Sequence, residues 1–222
     1  MEKKISILLV DDHPLARQGV RTVLEQADDL EIVAEAGNGQ EALQLIANLQ
    51  PDILLLDLKM PGMRAAEIEA WVRENYPQVV TLVLTAHDRD FYLSEMIEAG
   101  VAGYLDKSQR GEQLIEAIRR AAAGENLFTN EQLNRALRWQ QNAGDKWQSL
   151  TEREREVARL LVQGLNDAAL AKALNISPRT ASFHVASLLK KLMVASRQEA
   201  VAWLIKHIPD VVDELIEMQD LK

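Results

Sequence analysis

Asp11-Asp12, Asp57, Thr85 and Lys107 are the residues of this chain whose types and positions point to chemistry. They follow short β-like runs: residues 5–10 lead into Asp11-Asp12, 52–56 into Asp57, 79–84 into Thr85-Ala86, and 101–105 into Asp106-Lys107. In an open parallel sheet the ligand crevice lies outside the carboxyl ends of the strands. The four strand ends would therefore gather three carboxylates, a hydroxyl and an ammonium in one place. Like charges crowded in this way are costly unless a cation sits among them. Hard carboxylate oxygens, with no histidine counted near them, favour Mg²⁺ (or Mn²⁺) over zinc. A carboxylate so placed can attack a phosphoryl group and become an aspartyl phosphate. Lys107 can neutralise the phosphoryl oxygens and Thr85 can donate a hydrogen bond to one of them. Transfer then needs little beyond position and charge. A single Asp at a strand end is more often a helix cap or a solvated turn residue; the combination at four strand ends carries the reading.

The elements that must position these groups alternate along the first 124 residues. Strand-like runs fall at 5–10, 31–36, 52–57, 79–85 and 101–105, with helical patterns at 14–27, 39–49, 65–76, 90–98 and 110–123. The unbroken apolar stretch 53–56 suits a central strand buried on both faces. Five β-α units in series predict a parallel, doubly wound sheet with right-handed crossovers. Pro14 suits the first turn of a helix, and Gly39, Gly62 and Gly100 mark turns.

Residues 125–149 are polar and read as a linker, with a helix around 130–141. From Leu150 the pattern is helical throughout. Thr151 and Glu154 form a capping box, and Gly164 supplies the stop. Asp167 is placed to cap a second helix, and Ser177-Pro178 opens a third that runs to about Lys191. Ser196 and Glu199 form a second capping box, for a fourth helix to about His207. The second and third helices are joined by Asn175-Ile176-Ser177, the length of a helix-turn-helix connection. On the third helix Arg179, Lys190 and Lys191 are candidate phosphate contacts, and Thr180 and Ser182 are short donors near its start. Val185, Leu188, Leu189 and Leu192 recur at helical spacing and should face the core, and His184 reads as structural.

The net charge of −9 is unevenly spread. Residues 1–124 hold 12 Lys/Arg against 21 Asp/Glu, residues 125–149 are neutral, residues 150–209 hold 9 against 5, and the tail 210–222 carries a net −4. An acidic front and a basic third quarter suggest two jobs, the second compatible with nucleic acid. The tail either covers that basic face or is a solvated extension. There is no cysteine, which excludes disulfides, thiolate catalysis and cysteine-ligated zinc. No apolar run approaches the ~20 residues that span a bilayer, and residues 1–4 lack the features of a signal peptide. A cytoplasmic protein without membrane partners is expected.

The set Asp11-Asp12, Asp57-x-x-Met60-Pro61-Gly62, Thr85-Ala86 and Lys107 resembles the receiver domain of two-component response regulators. The second half resembles the LuxR-type helix-turn-helix of the NarL/FixJ subfamily. That match runs through residues 150–157, Gly164-Leu165, Ile176-Ser177-Pro178-Arg179-Thr180, His184-Val185, Lys191-Leu192 and Ser196-Arg197. The resemblance implies a flavodoxin-like five-stranded receiver at 1–124 and a four-helix DNA-binding domain at 150–209. It implies Asp57 as phosphoacceptor, Asp12 as a direct Mg²⁺ ligand, Asp11 holding a metal-bound water, and the Lys59 carbonyl completing the set. Thr85 and Tyr104 match the switch pair, the hydroxyl closing on the phosphoryl group while the ring turns inward. Lys59 and His87 occupy positions that tune phosphate lifetime. Base-reading positions fall on Ser182, Phe183 and Ala186. The implied partners are a sensor histidine kinase or small phosphodonor, a pseudo-palindromic double-stranded DNA site, and a second copy of the chain when phosphorylated.

The chain departs from the pattern in places. Arg64-Ala65 stands where Asp-Gly is common, and Asp106 precedes Lys107 where an apolar residue is usual and could weaken that lysine's hold on phosphate. Ser182 and Ala186 occupy positions often held by Lys, and Ala168-Ala169 replaces Lys-Glu. These losses leave open a second reading, a helix-turn-helix module that works through protein contacts. An enzyme is not expected beyond self-catalysed phosphotransfer and dephosphorylation. A phosphohydrolase of the haloacid dehalogenase type would need an Asp two residues past the nucleophile, where this chain has Lys59.

Overall fold

The computed structural model describes residues 3–211. It divides into two compact units, the first ending at Ala136 and the second beginning at Leu137. In the first unit the strands β1 (Ile5–Val10), β2 (Leu30–Ala36), β3 (Ile53–Leu56), β4 (Val80–Thr85) and β5 (Gly103–Asp106) alternate with helices. Those helices are α1 (Pro14–Leu24), α2 (Gly39–Leu49), α3 (Ala65–Asn75), α4 (Asp90–Ala99) and α5 (Gly111–Ala122). All strand pairs are parallel, in the order β2-β1-β3-β4-β5. The expected strands and helices are all present, with no end shifted by more than three residues.

The alternation of side chains across the sheet explains its two covers. Ile7, Leu9, Ile53, Leu55, Leu82 and Leu84 point to one face, where Leu24 of α1 and Leu114, Ile118 and Ala121 of α5 close over them. Leu8, Val10, Leu54, Leu56 and Val83 lie on the other face and are equally buried. A residue such as Leu55, with no exposed surface, would cost about 2–5 kcal/mol on truncation to alanine. The order reverses direction at β1/β3, which places the crevice at their carboxyl ends. Two backbone hydrogen bonds extend the ladder into the crevice: Asp57 N donates to Val10 O at 2.8 Å and Asp11 N to Ala36 O at 3.1 Å. Gly62 lies within the loop between β3 and α3 at φ +89°, a conformation open to glycine.

The region expected as a linker joins both units. Residues 125–136 belong to the first, and α6 (Asn130–Trp139) leads into a π turn over Gln140–Gly144 and a short α7 (Asp145–Gln148). In the second unit α8 (Glu152–Val162), α9 (Asp167–Ala173), α10 (Pro178–Leu192) and α11 (Arg197–His207) pack around Val157, Leu161, Leu170, Val185, Leu188, Leu192 and Leu204. Leu189, expected in this core, is only partly buried.

The caps largely follow the sequence. Thr151 and Glu154 form the reciprocal box, and the Ser177 hydroxyl accepts from Thr180 N. The cap of α9 is Asn166, whose side chain accepts from Ala169 N, and Asp167 is one residue inside the helix. Either residue type caps well, and the chain enters one residue earlier than expected. Glu199 reaches back to Ala195 N rather than to Ser196 N, so the box expected at α11 is half formed. Among the described residues no helix is long and apolar enough to cross a membrane. Of the acidic tail, Asp210 is described; Asp213, Glu214, Glu217 and Asp220 lie outside the described residues.

Candidate functional site

The strand ends bring Asp11, Asp12, Asp57, Thr85 and Lys107 together. Asp11, Asp57 and Thr85 are 2%, 4% and 1% exposed, so their polar atoms must be satisfied inside the protein. Lys107 Nζ bridges Asp11 Oδ2 at 2.7 Å and Asp57 Oδ2 at 2.9 Å. The other Asp57 oxygen accepts from Leu58 N at 2.9 Å, and Asp11 Oδ1 accepts from His13 N at 2.8 Å. Burial pushes the Asp57 carboxyl above its ordinary value; Lys107 opposes the shift and the Asp11 charge adds to it. Burial alone would lower Lys107, but its bonds to Asp11 and Asp57 prevail and hold the ammonium protonated.

One charge on Lys107 does not balance three carboxylates. Ligand atoms of Asp11, Asp12, His13 and Asp57 all lie within 4.8 Å of one another, a donor set that fits a divalent cation. His13 corrects the sequence reading, which counted no histidine near the acids. It follows Asp12 on the same loop, with Nδ1 2.7 Å from Asp12 Oδ1. The signal was present as the next residue in the chain. Arg17 was also missed: its guanidinium donates to the Asp11 carbonyl and pairs with Glu35 at 3.2 Å, bracing the β1–α1 loop.

The outer residues of the site converge on His87. Its N–H donates to Thr85 Oγ1 at 3.0 Å, and its carbonyl accepts from Tyr104 Oη at 2.5 Å. Tyr104 is 4% exposed, its ring turned into the protein; burial pushes its hydroxyl pKa upward. The Lys59 ammonium lies 5.9 Å from the centroid of Tyr92. Asp106, the acid beside Lys107, accepts from Ser108 N at 2.6 Å within that turn. Arg64, the other departure, pairs with Glu95.

In the second unit Arg179, Ser182, Phe183, Ala186 and Lys190 recur at helical spacing and are all exposed, Phe183 at 69%. Thr180 is exposed too, its Oγ1 2.8 Å from Ser177 Oγ at the cap. Two of the candidate nucleic-acid contacts are engaged internally. Ser182 Oγ donates to Asp167 Oδ2 at 2.6 Å, and Arg197 binds the other Asp167 oxygen at 3.0 Å. Lys191 Nζ donates to Glu154 Oε2 at 2.7 Å and to the Ser149 carbonyl at 2.9 Å. Lys191 thus fastens α10 to the start of α8. Glu154 is 4% exposed and also accepts from Ser187 Oγ and Thr151 N. Burial alone would raise its pKa, but these donors outweigh it and hold the carboxyl at about 2.

Residues 7–119 match the family described as response regulator receiver domain, and residues 148–204 match bacterial regulatory proteins, luxR family. The nitrate/nitrite response regulator protein NarP of Escherichia coli is 41% identical over 204 residues, 90% of this chain and 94% of that protein. The signal receiver domain of the response regulator NarL from Mycobacterium tuberculosis superposes with a TM-score of 0.54 at 35% identity, over 56% of this chain and all of that one. RcsB from Salmonella enterica serovar Typhimurium, bound to the promoter rprA with phosphomimetic BeF₃⁻, gives a TM-score of 0.60 at 26% identity, over 90% of this chain and 98% of that one.

Proposed function

Because the chain belongs to the response regulators that join a receiver domain to a luxR-family regulatory domain, we propose that it is a transcription factor whose DNA binding is set by phosphorylation of Asp57. The phosphoryl donor is a sensor histidine kinase or a small phosphodonor. The observation that carries the reading is the Lys107 bridge between Asp11 and Asp57 at the strand ends. An Asp57 oxygen forms the new P–O bond while the bond from phosphorus to the donor breaks, its electron pair leaving with the donor. Lys107 stays with the phosphoryl oxygens and offsets their charge. Asp11, Asp12, Asp57 and the Lys59 carbonyl would hold Mg²⁺ (or Mn²⁺), which supplies a Lewis-acid charge to the phosphoryl oxygens. Thr85 Oγ1 turns toward the phosphoryl group, and the His87 peptide it shares with Tyr104 moves with it. Lys59 and His87, flanking the opening, set how fast water returns the aspartate.

Residues 1–124 form the receiver in this reading and residues 150–209 the DNA-binding domain. Helix α10 enters the major groove, with Arg179 and Lys190 on phosphates, Thr180 at the helix start, and Ser182, Phe183 and Ala186 facing the bases. A phosphorylated dimer would match a two-fold pseudo-palindromic site. The protein works in the cytoplasm. The decisive experiment is treatment with a phosphodonor and Mg²⁺ followed by intact-mass measurement. Wild type gains one phosphoryl group and Asp57→Asn gains none; a wild type without added mass overturns the reading.

A second reading, protein contact in place of DNA binding, is favoured by the internal engagement of Ser182 and Lys191 and by the exposed Phe183 ring. A genome-wide binding selection with wild type and Asp57→Glu separates the two, since enrichment of a common motif excludes the protein-contact reading.

A further inference from the structure

Arg135 lies sixteen positions beyond the segment matched as receiver, which ends at residue 119, yet it grips the loop that answers to the phosphorylation site. Its Nη1 and Nη2 bond both oxygens of Asp88 at 2.9 and 2.8 Å, and its Nε bonds Asp90 Oδ1 at 2.7 Å. This is the bidentate fork geometry that an Arg makes and a Lys does not. The side chain is 21% exposed, so the pairs are partly shielded from water and salt. The two aspartates hold the guanidinium firmly protonated, Asp88 most of all.

The location of the grip gives it meaning. Asp88 adjoins His87, whose N–H bonds Thr85 and whose carbonyl holds the Tyr104 hydroxyl. Asp90 is the first residue of α4. One turn earlier on the same face of α6, Gln132 Nε2 donates to the Tyr104 carbonyl at 2.9 Å. Gln132 is fixed in turn by a reciprocal box with Thr129, and Leu127 N donates to Ala102 O at 2.8 Å. The segment 127–135 therefore holds Tyr104 at both ends, its backbone through Gln132 and its hydroxyl's partner through Arg135. All these contacts occur together with the Tyr104 ring turned inward.

We propose that Arg135 is a positioning residue of the receiver: it holds the 86–90 loop in the ring-inward arrangement, so that docking of α6 and phosphorylation of Asp57 favour one another. The inference rests on the function proposed above. Such coupling is reciprocal, and its usual size corresponds to ~5- to 150-fold in affinity.

The test is the affinity of the full chain for beryllofluoride with Mg²⁺, a mimic of the aspartyl phosphate, read by tryptophan fluorescence or calorimetry. Arg135→Gln and the double variant Asp88→Asn/Asp90→Asn each weaken binding by about fivefold or more. Arg135→Lys keeps part of the affinity through its charge. Arg120→Gln, which breaks the exposed pair with Glu125 elsewhere on the first unit, leaves it unchanged. In wild type, beryllofluoride raises hydrogen-exchange protection across residues 128–135. Circular dichroism establishes that each variant is folded, and the double variant leaves α6 itself unaltered. Wild-type binding matched by both Arg135→Gln and the double variant overturns this inference alone. A wild type that fails to bind beryllofluoride overturns it together with the proposed function.

Discussion

At the strand-end crevice, residues from Asp11 to Lys107 meet because four parallel strands end side by side, whereas on α10 five residues share a face because a helix repeats every three to four positions. The first arrangement places its charges against one another: Lys107 has no nearer role than to join Asp11 and Asp57. The second leaves its surface open to whatever the flanking helices demand. Asp167 takes Ser182, and Glu154 takes Lys191. A site set by topology keeps its reacting groups for itself, while a site set by periodicity shares them with the packing beneath it.

Four measurements test this contrast. The largest effect is Asp57→Asn, which abolishes phosphoryl gain while the domain stays folded; partial labelling would mean that another acid of the crevice substitutes. Next, Glu154→Gln destabilises the second unit by up to about 3 kcal/mol in urea unfolding, following the depression of its pKa. Because the folded pKa lies at about 2, below the ordinary 4.5, that stability is present above about pH 4.5 and is lost as pH falls toward 2. The variant therefore loses the corresponding acid dependence. Third, Arg179→Ala weakens DNA binding several-fold at moderate salt and reduces the slope of log affinity against log salt by about 1, whereas Lys191→Ala acts mainly on stability. Equal salt slopes for the two variants would return Lys191 to the groove face. The smallest effect is Met193→Gly. Met193 closes α10 at φ 59° and is 77% exposed, so glycine there should stabilise by ~1 kcal/mol in thermal unfolding.

The sequence made the sheet and the crevice legible because four of the five strands are short, largely apolar runs that stop at a polar residue. Asp57, Thr85 and Lys107 were placed by that rule without any knowledge of their partners. The helices of the second half were legible from caps such as Thr151 and Ser177. Pairings across long separations were not. Nothing local joins Lys191 to Glu154 or Arg135 to Asp88, since which charged side chain finds which is decided by packing of elements far apart in the chain. Asn166 and Asp167 differ in role by one residue of phase, finer than a capping preference resolves. His13 was in plain view, and counting ligands by strand end alone passed over it.

The hydrogen bond from the Asp57 amide to the Val10 carbonyl has a kinetic consequence. It continues the ladder between β3 and the buried end of β1, and such amides exchange with solvent only through openings close to global unfolding. In the proposed function, the carboxylate that receives the phosphoryl group is therefore carried by a stretch of backbone among the slowest in the molecule to open. On that reading the loops around Asp57 respond to the phosphoryl group while its own backbone stays tied to β1.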